Sequence, residues 1–172
     1  DNADPNLLVF LNMALANKGF YLPQRFDNPE VKRHPDFVCV AAANTFGMGA
    51  DALYSSRNAL DAATLDRFRI GTVEMDYDIE VEKSLITAPY LLKFGIFVRT
   101  VIQKHNLAKL MSTRAMIDAQ DMMLDHDWTL KEVAKSYFSS WSPEEMAMIK
   151  YELREFFENV DMAIERDNSE AA

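Results

Sequence analysis

The chain is 172 residues long, 49% apolar and 26% charged, and its 27 acidic residues against 18 basic ones leave a formal net charge of −9. That is enough for one domain, or one domain with a small appendage, and too acidic for broad attraction to nucleic acid or anionic lipid. The single cysteine, Cys39, excludes a disulfide framework and a zinc site of several thiolates; with no apolar run of about 18 residues and no signal-peptide pattern, a cytoplasmic protein without a membrane span is expected.

The first helix is predicted from Pro5 to about Asn17. Asp4 can cap it, Pro5 suits its first position, and Leu7, Leu8, Leu11 and Leu15 share one face. Lys18-Gly19 reads as its stop. An opening with helix punctuation already under way is expected of a fragment cut from something larger. "FYLP" reads as a short strand, and residues 24–36, with two prolines and many charges, as a loop or exposed hairpin. "FVCVAAA", residues 37–43, does not alternate, which predicts a strand buried on both faces in a parallel sheet. Residues 50–68 mix helical stretches and loop, and "RIGTVEM", 69–75, is a second strand-like run.

After about Asp78 the pattern is helical only. Helices are predicted near 79–86, 88–105, 113–124, 129–137 and 143–165. Thr129 with Glu132, and Ser142 with Glu145, have capping-box spacing, and Pro143 sits at a first helical position. Met146, Ile149, Leu153, Phe156, Val160 and Ile164 form a narrow apolar seam on the last helix. Residues 166–172 are expected to fray. The domain reading is therefore a mixed part over 1–78, a helical part over 79–165 and a tail. Two good strands are too few for a complete α/β sheet, which again predicts upstream sequence.

Several candidate sites reduce to ordinary structure. "GMGADA", 47–52, with Glu74 or Asp76 downstream, imitates a dinucleotide-binding turn, but the further parallel strands that fold needs are missing. His126 between Asp125 and Asp127 offers adjacent ligand types that rarely converge on one ion, so a solvated loop is expected. Cys39 has no base beside it, and the ten methionines are spread as packing residues.

Three polar residues are better placed for chemistry. Asn44 ends the run 37–43, at the strand edge where α/β proteins hold ligands; an amide there can orient a water beside a phosphate or merely satisfy its own turn. Arg67, with Arg69, flanks Phe68 just before the second strand-like run; its fork suits phosphate, the alternative being an ion pair with Asp61 or Asp66. Arg114 falls in the first turn of a predicted helix, where the helix dipole disfavours a cation; an anion docked beside it would account for it, the alternative being a solvent-facing arginine.

In this order and spacing the segments resemble the C-terminal half of an AAA+ ATPase core, in the dynein-related group of MoxR-like proteins and the cobaltochelatase ATPase subunit CobS. The likeness covers roughly residues 1–125. "DNADPNLLVFLNMALANKG" looks like the helix after Walker B, "RHPDFVCVAAANTFGMGAD" like the sensor 1 strand and loop, "ATLDRFRI" like the arginine-finger segment, and "MSTRAMIDA" like the sensor 2 helix of the lid. The resemblance implies the C-terminal part of an α/β (αβα) P-loop sandwich followed by a helical lid. It makes Asn44 sensor 1, facing the attacking water and γ-phosphate; Arg67 a finger reaching the neighbouring subunit's nucleotide; and Arg114 sensor 2, contacting ATP in its own subunit. An arginine supplied in trans is worth roughly 10³–10⁵ in rate in such systems.

The sequence departs from that family in having no G-x-x-x-x-G-K-[ST] loop and no apolar strand ending in Asp-Glu. ATP and Mg²⁺ are thus expected of a parent protein, and this chain alone is not expected to hydrolyse ATP. A finger in trans implies a ring, commonly a hexamer, and a partner protein or complex that it remodels. The alternative expectation is a non-enzymatic interaction module that binds a partner helix along the seam of the last helix.

Overall fold

In a computed structural model, residues 2–17 and 19–170 are described; the helix stop expected at Lys18 and the last two residues of the tail lie outside them. The chain is mostly helical, with one small antiparallel sheet, and divides into two compact units, Asp1–Met75 and Asp76–Ala172. Among the described residues no helix is long and apolar enough to cross a membrane.

The first unit begins with α1 (Pro5–Asn17), started by the Asp4 carbonyl, which accepts from the Leu7 and Leu8 amides at 3.0 and 3.2 Å. A hairpin of β1 (Gly19–Tyr21) and β2 (Glu30–Lys32) follows, so the short strand and exposed hairpin expected from the sequence pair with each other. Gly19 permits this pairing: a Cβ there would lie 2.6 Å from the Val31 carbonyl oxygen. The last element is α2 (Ala62–Phe68), capped by Asp61, whose carboxylate accepts from the Thr64 amide at 2.9 Å and its hydroxyl at 2.6 Å. These bonds hold the Asp61 carboxyl below its usual range, the Thr64 side chain contributing most. Thr64 in turn accepts from Asn12 at 2.6 Å, tying α1 to α2.

Two strand expectations fail in this unit. Residues 37–43 and 69–75 form no strand among the described residues; 70–71 are a turn with Gly71 at φ 87°, and Val38, Val40 and Ile70 are 78, 86 and 97% exposed. The physical reason is that a strand exists only where a neighbour takes its N–H and C=O groups. An apolar run signals a need for burial, not the presence of a partner. The buried apolar side chains among the described residues all belong to the second unit.

That unit contains α3 (Ile79–Leu85), α4 (Leu91–Lys104), α5 (Thr113–Asp125), α6 (Leu130–Tyr137), a 3₁₀ turn (Phe138–Ser140) and α7 (Pro143–Glu170). Its helices start at chemical caps. Asp78 accepts from the Glu80 and Val81 amides, Ser112 accepts from the Ala115 amide, and Thr129 with Glu132 closes the expected capping box. Ser142 and Glu145 bond reciprocally at 2.7 and 3.2 Å. The expected start of α4 at residue 88 is corrected to Leu91: Pro89 disfavours a helical conformation at Ala88, and Tyr90 takes a left-handed φ of 61° at the N-cap. The helix α7 runs through Glu170, past the seam's end, so the described part of the expected frayed tail is helical.

The core centres on Phe94, Val98 and Ile149, each fully buried, with Leu91 and Met116 almost so. Phe94 meets Phe138 edge-on with ring centres 5.9 Å apart, and Phe97 stacks on Phe156 at 4.6 Å, geometries that add to area burial. Helices α4 and α5 cross at Gly95, where a Cβ would lie 2.1 Å from Met116 Sδ. Along α7, Ile149 and Val160 are buried and Met146, Leu153 and Phe156 pack on the core, while Ile164 is 41% exposed. Most of the seam thus faces its own unit.

Candidate functional site

The glycine-rich stretch after residue 43 is a turn. Gly47 (φ 74°) and Gly49 (φ 94°) occupy the left-handed region, the Gly47 carbonyl accepts from the Leu60 amide at 2.8 Å, and Met48 bridges to Ala59. These glycines lead back to 59–60 rather than into a helix, which fits no dinucleotide-binding turn. Asn44 lies at the bend just before this turn and is exposed.

Arg67 lies in the last turn of α2, exposed, with Nη1 donating to the Ala63 carbonyl. The ion pair with Asp61 or Asp66 that the sequence offered as an alternative does not form among the described residues; Asp61 is committed to the α2 cap. Arg67 lines a cleft of about 330 Å³ with Leu15, Ala16, Arg33, Cys39 and Phe68. Asn44 is not one of its lining residues. The structure therefore brings Arg67 together with Arg33 and Cys39, a grouping the sequence reading missed because these residues are 28 or more positions apart from Arg67 in sequence, on three different segments.

Arg114 belongs to the second unit, at the second position of α5. Its side chain is exposed and makes neither a hydrogen bond nor an ion pair among the described residues. Its helix start is fixed on both sides. Ser112 Oγ accepts from the Ala115 amide at 3.1 Å, and Thr113 donates to Glu82 at 2.5 Å.

Glu82 is the buried polar centre of this unit, 2% exposed. Arg99 meets it with a two-pronged contact, Nη1 to Oε2 and Nη2 to Oε1, both at 2.7 Å. The Arg99 Nε donates to the Met111 carbonyl at 2.9 Å, and its guanidinium lies 3.3 Å from the centre of the Tyr77 ring. The hydrogen bonds from Arg99 hold the Glu82 carboxyl below its usual range, with Thr113 and the Arg99 charge adding to the effect against burial. Burial pushes the Tyr137 hydroxyl up to about 12. The sequence reading did not find this network; its one local signal is Arg99 interrupting the apolar run 94–102.

A second unforeseen residue is Gln120, whose Oε1 accepts from the Thr87 and Ala88 amides at 2.6 and 3.0 Å while its Nε2 donates to the Leu85 carbonyl at 3.1 Å. It clasps the link between α3 and α4 to α5. His126 is the C-cap of α5, and among the described residues no group of three or more His, Cys, Asp or Glu is placed to hold a metal ion.

Compared with known proteins, no family model, no curated protein and no solved structure matches the chain.

Proposed function

We propose that the chain is the sensor and lid portion of a ring-forming AAA+ ATPase of the MoxR-like or CobS-like kind, which couples ATP hydrolysis to remodelling of a partner protein or complex. The observation that carries the reading is the state of its two key arginines. Arg67 and Arg114 are both exposed, and neither meets a carboxylate among the described residues of a chain that has 27 of them. A guanidinium left in this state at a helix start (Arg114) or over a cleft (Arg67) suits a phosphate oxygen.

In this reading Asn44 orients water, Arg67 serves the neighbouring protomer's triphosphate, and Arg114 reads the nucleotide of its own protomer. ATP supplies the phosphoryl group when bound. No residue here is assigned to Mg²⁺ or to a phosphate loop. The exposed run 37–43 supports the same reading, because the αβα sandwich needs neighbouring strands on that segment. The alternative, a helical interaction module, needs the α7 seam free, and Ile149 and Val160 are spent on the core.

The test is ATP turnover by the parent reading frame. Arg67→Ala is expected to lower it roughly 10³–10⁵-fold, with partial recovery when the variant is mixed with copies defective in the phosphate loop. Equal turnover by wild type and variant refutes the finger.

A further inference from the structure

We propose that Arg33 and Arg67 together form a phosphoryl-binding cleft in the first unit, with the Cys39 thiol on its wall. Both arginines line the same open cleft of about 330 Å³, walled otherwise by Leu15, Ala16, Cys39 and Phe68. Each is fixed by one backbone carbonyl. Arg33 Nη1 donates to Leu15 O at 3.2 Å, and Arg67 Nη1 donates to Ala63 O. A guanidinium carries five N–H donors, so each keeps most of its fork for a ligand.

Neither charge is neutralised among the described residues, although Lys32 beside Arg33 pairs with Glu30 at 3.8 Å. Two like charges lining one cleft repel one another, though solvent at these exposed side chains screens the effect. An anion between them removes the repulsion. A carboxylate has two oxygens and satisfies one fork; a terminal phosphate offers a third and can satisfy two. The ligand class is therefore a terminal phosphate, such as the tail of a polyphosphate. The proposal deepens the reading above and rests on it only for the source of that tail, a neighbouring copy's nucleotide; free polyphosphate is the other source.

Cys39 is the only cysteine and is partly exposed, so thiol labelling of the whole chain reads this cleft alone. At constant ionic strength, tripolyphosphate at about ten times its Kd is expected to slow maleimide labelling about tenfold, the ratio of total to free sites. Arg33→Ala and Arg67→Ala are each expected to abolish the protection, and Arg33→Lys, which keeps charge but loses the fork, to reduce it. An unprotected wild type, or alanine variants protected as well as wild type, overturns the cleft. Full protection in Arg33→Lys, or equal protection by glutamate, overturns the two-fork phosphate assignment. ATP protecting like tripolyphosphate identifies a nucleotide tail as a competent source; tripolyphosphate protecting while ATP does not overturns that source. If Arg67→Ala abolishes protection yet leaves ATP turnover of the parent unchanged, the cleft stands and the trans finger falls. The opposite pair of results leaves the finger and removes the cleft.

Discussion

Replacing Arg99 by methionine will strand the Glu82 carboxylate inside the helical unit. Glu82 is 2% exposed and receives two 2.7 Å bonds from Arg99, leaving only the 2.5 Å bond from Thr113 once the guanidinium is gone. The Met111 carbonyl and the Tyr77 ring lose their contacts as well. Removing one partner of such a buried pair costs about 3–5 kcal/mol. For a unit of this size each kcal/mol lowers Tm by roughly 4–8 °C, so a fall of roughly 12 °C or more is expected. Thermal melts followed by far-UV circular dichroism read it. Glu82→Leu alone should cost a similar amount, whereas the double change Glu82→Leu with Arg99→Met should return most of the loss, since an apolar pair strands no charge. Single variants that each melt within about 2 °C of wild type, below the shift expected from 1 kcal/mol, or a double variant whose losses simply add, would refute the coupling. The pair also sets an acid limit. The folded Glu82 pKa lies below its unfolded value, so the unfolded chain binds the proton first. The stabilisation is complete above the unfolded carboxyl pKa of about 4.3 and is lost as pH falls through the lower folded value. In the Arg99→Met variant that acid-dependent loss should shrink or reverse.

Gln120→Ala removes the three backbone bonds that hold residues 85–88, and a cost of about 1–3 kcal/mol is expected. Hydrogen exchange at the Thr87 and Ala88 amides should speed up with it; unchanged exchange at both counts against the clasp. Gly95→Ala places a Cβ 2.1 Å from Met116 Sδ, in a side chain 1% exposed with little room to yield. Overpacking of about 1–3 kcal/mol is expected in urea denaturation, and a variant as stable as wild type would show that α4 and α5 can separate freely.

The helical unit was largely legible in the sequence because its signals are local. Caps at Thr129 and Ser142, Pro143, and apolar spacing along α4 and α7 each act within one or two turns. The start of α4 was misplaced because Pro89 disfavours helix at Ala88, and Tyr90 then takes a left-handed φ before the helix begins. The strand expectations failed for another reason. Residues 37–43 have the composition of a central strand, but pairing is a property of two segments, and composition describes one. Glu82 with Arg99, and Arg33 with Arg67, were invisible because charge pairing and charge clustering across elements leave no mark in spacing. Arg67 and Arg114 do lie at helix ends, whereas Asn44 ends no element, and the cleft that surrounds Arg67 was not legible.

The length of α7 has a mechanical consequence. Its 28 residues span about 42 Å at 1.5 Å per residue, and three polar pins are spread along it. Glu152 receives Lys104 at 2.6 Å and meets His105 at 3.0 Å, Asp161 receives Lys131 at 2.9 Å, and Asp167 receives the Tyr90 hydroxyl at 2.6 Å. Sliding the helix by a single residue would turn it by about 100°, unseating every pin at once and swinging Ile149 into solvent. The pins and the buried Ile149 thus favour one register of the helix against α4 and α6.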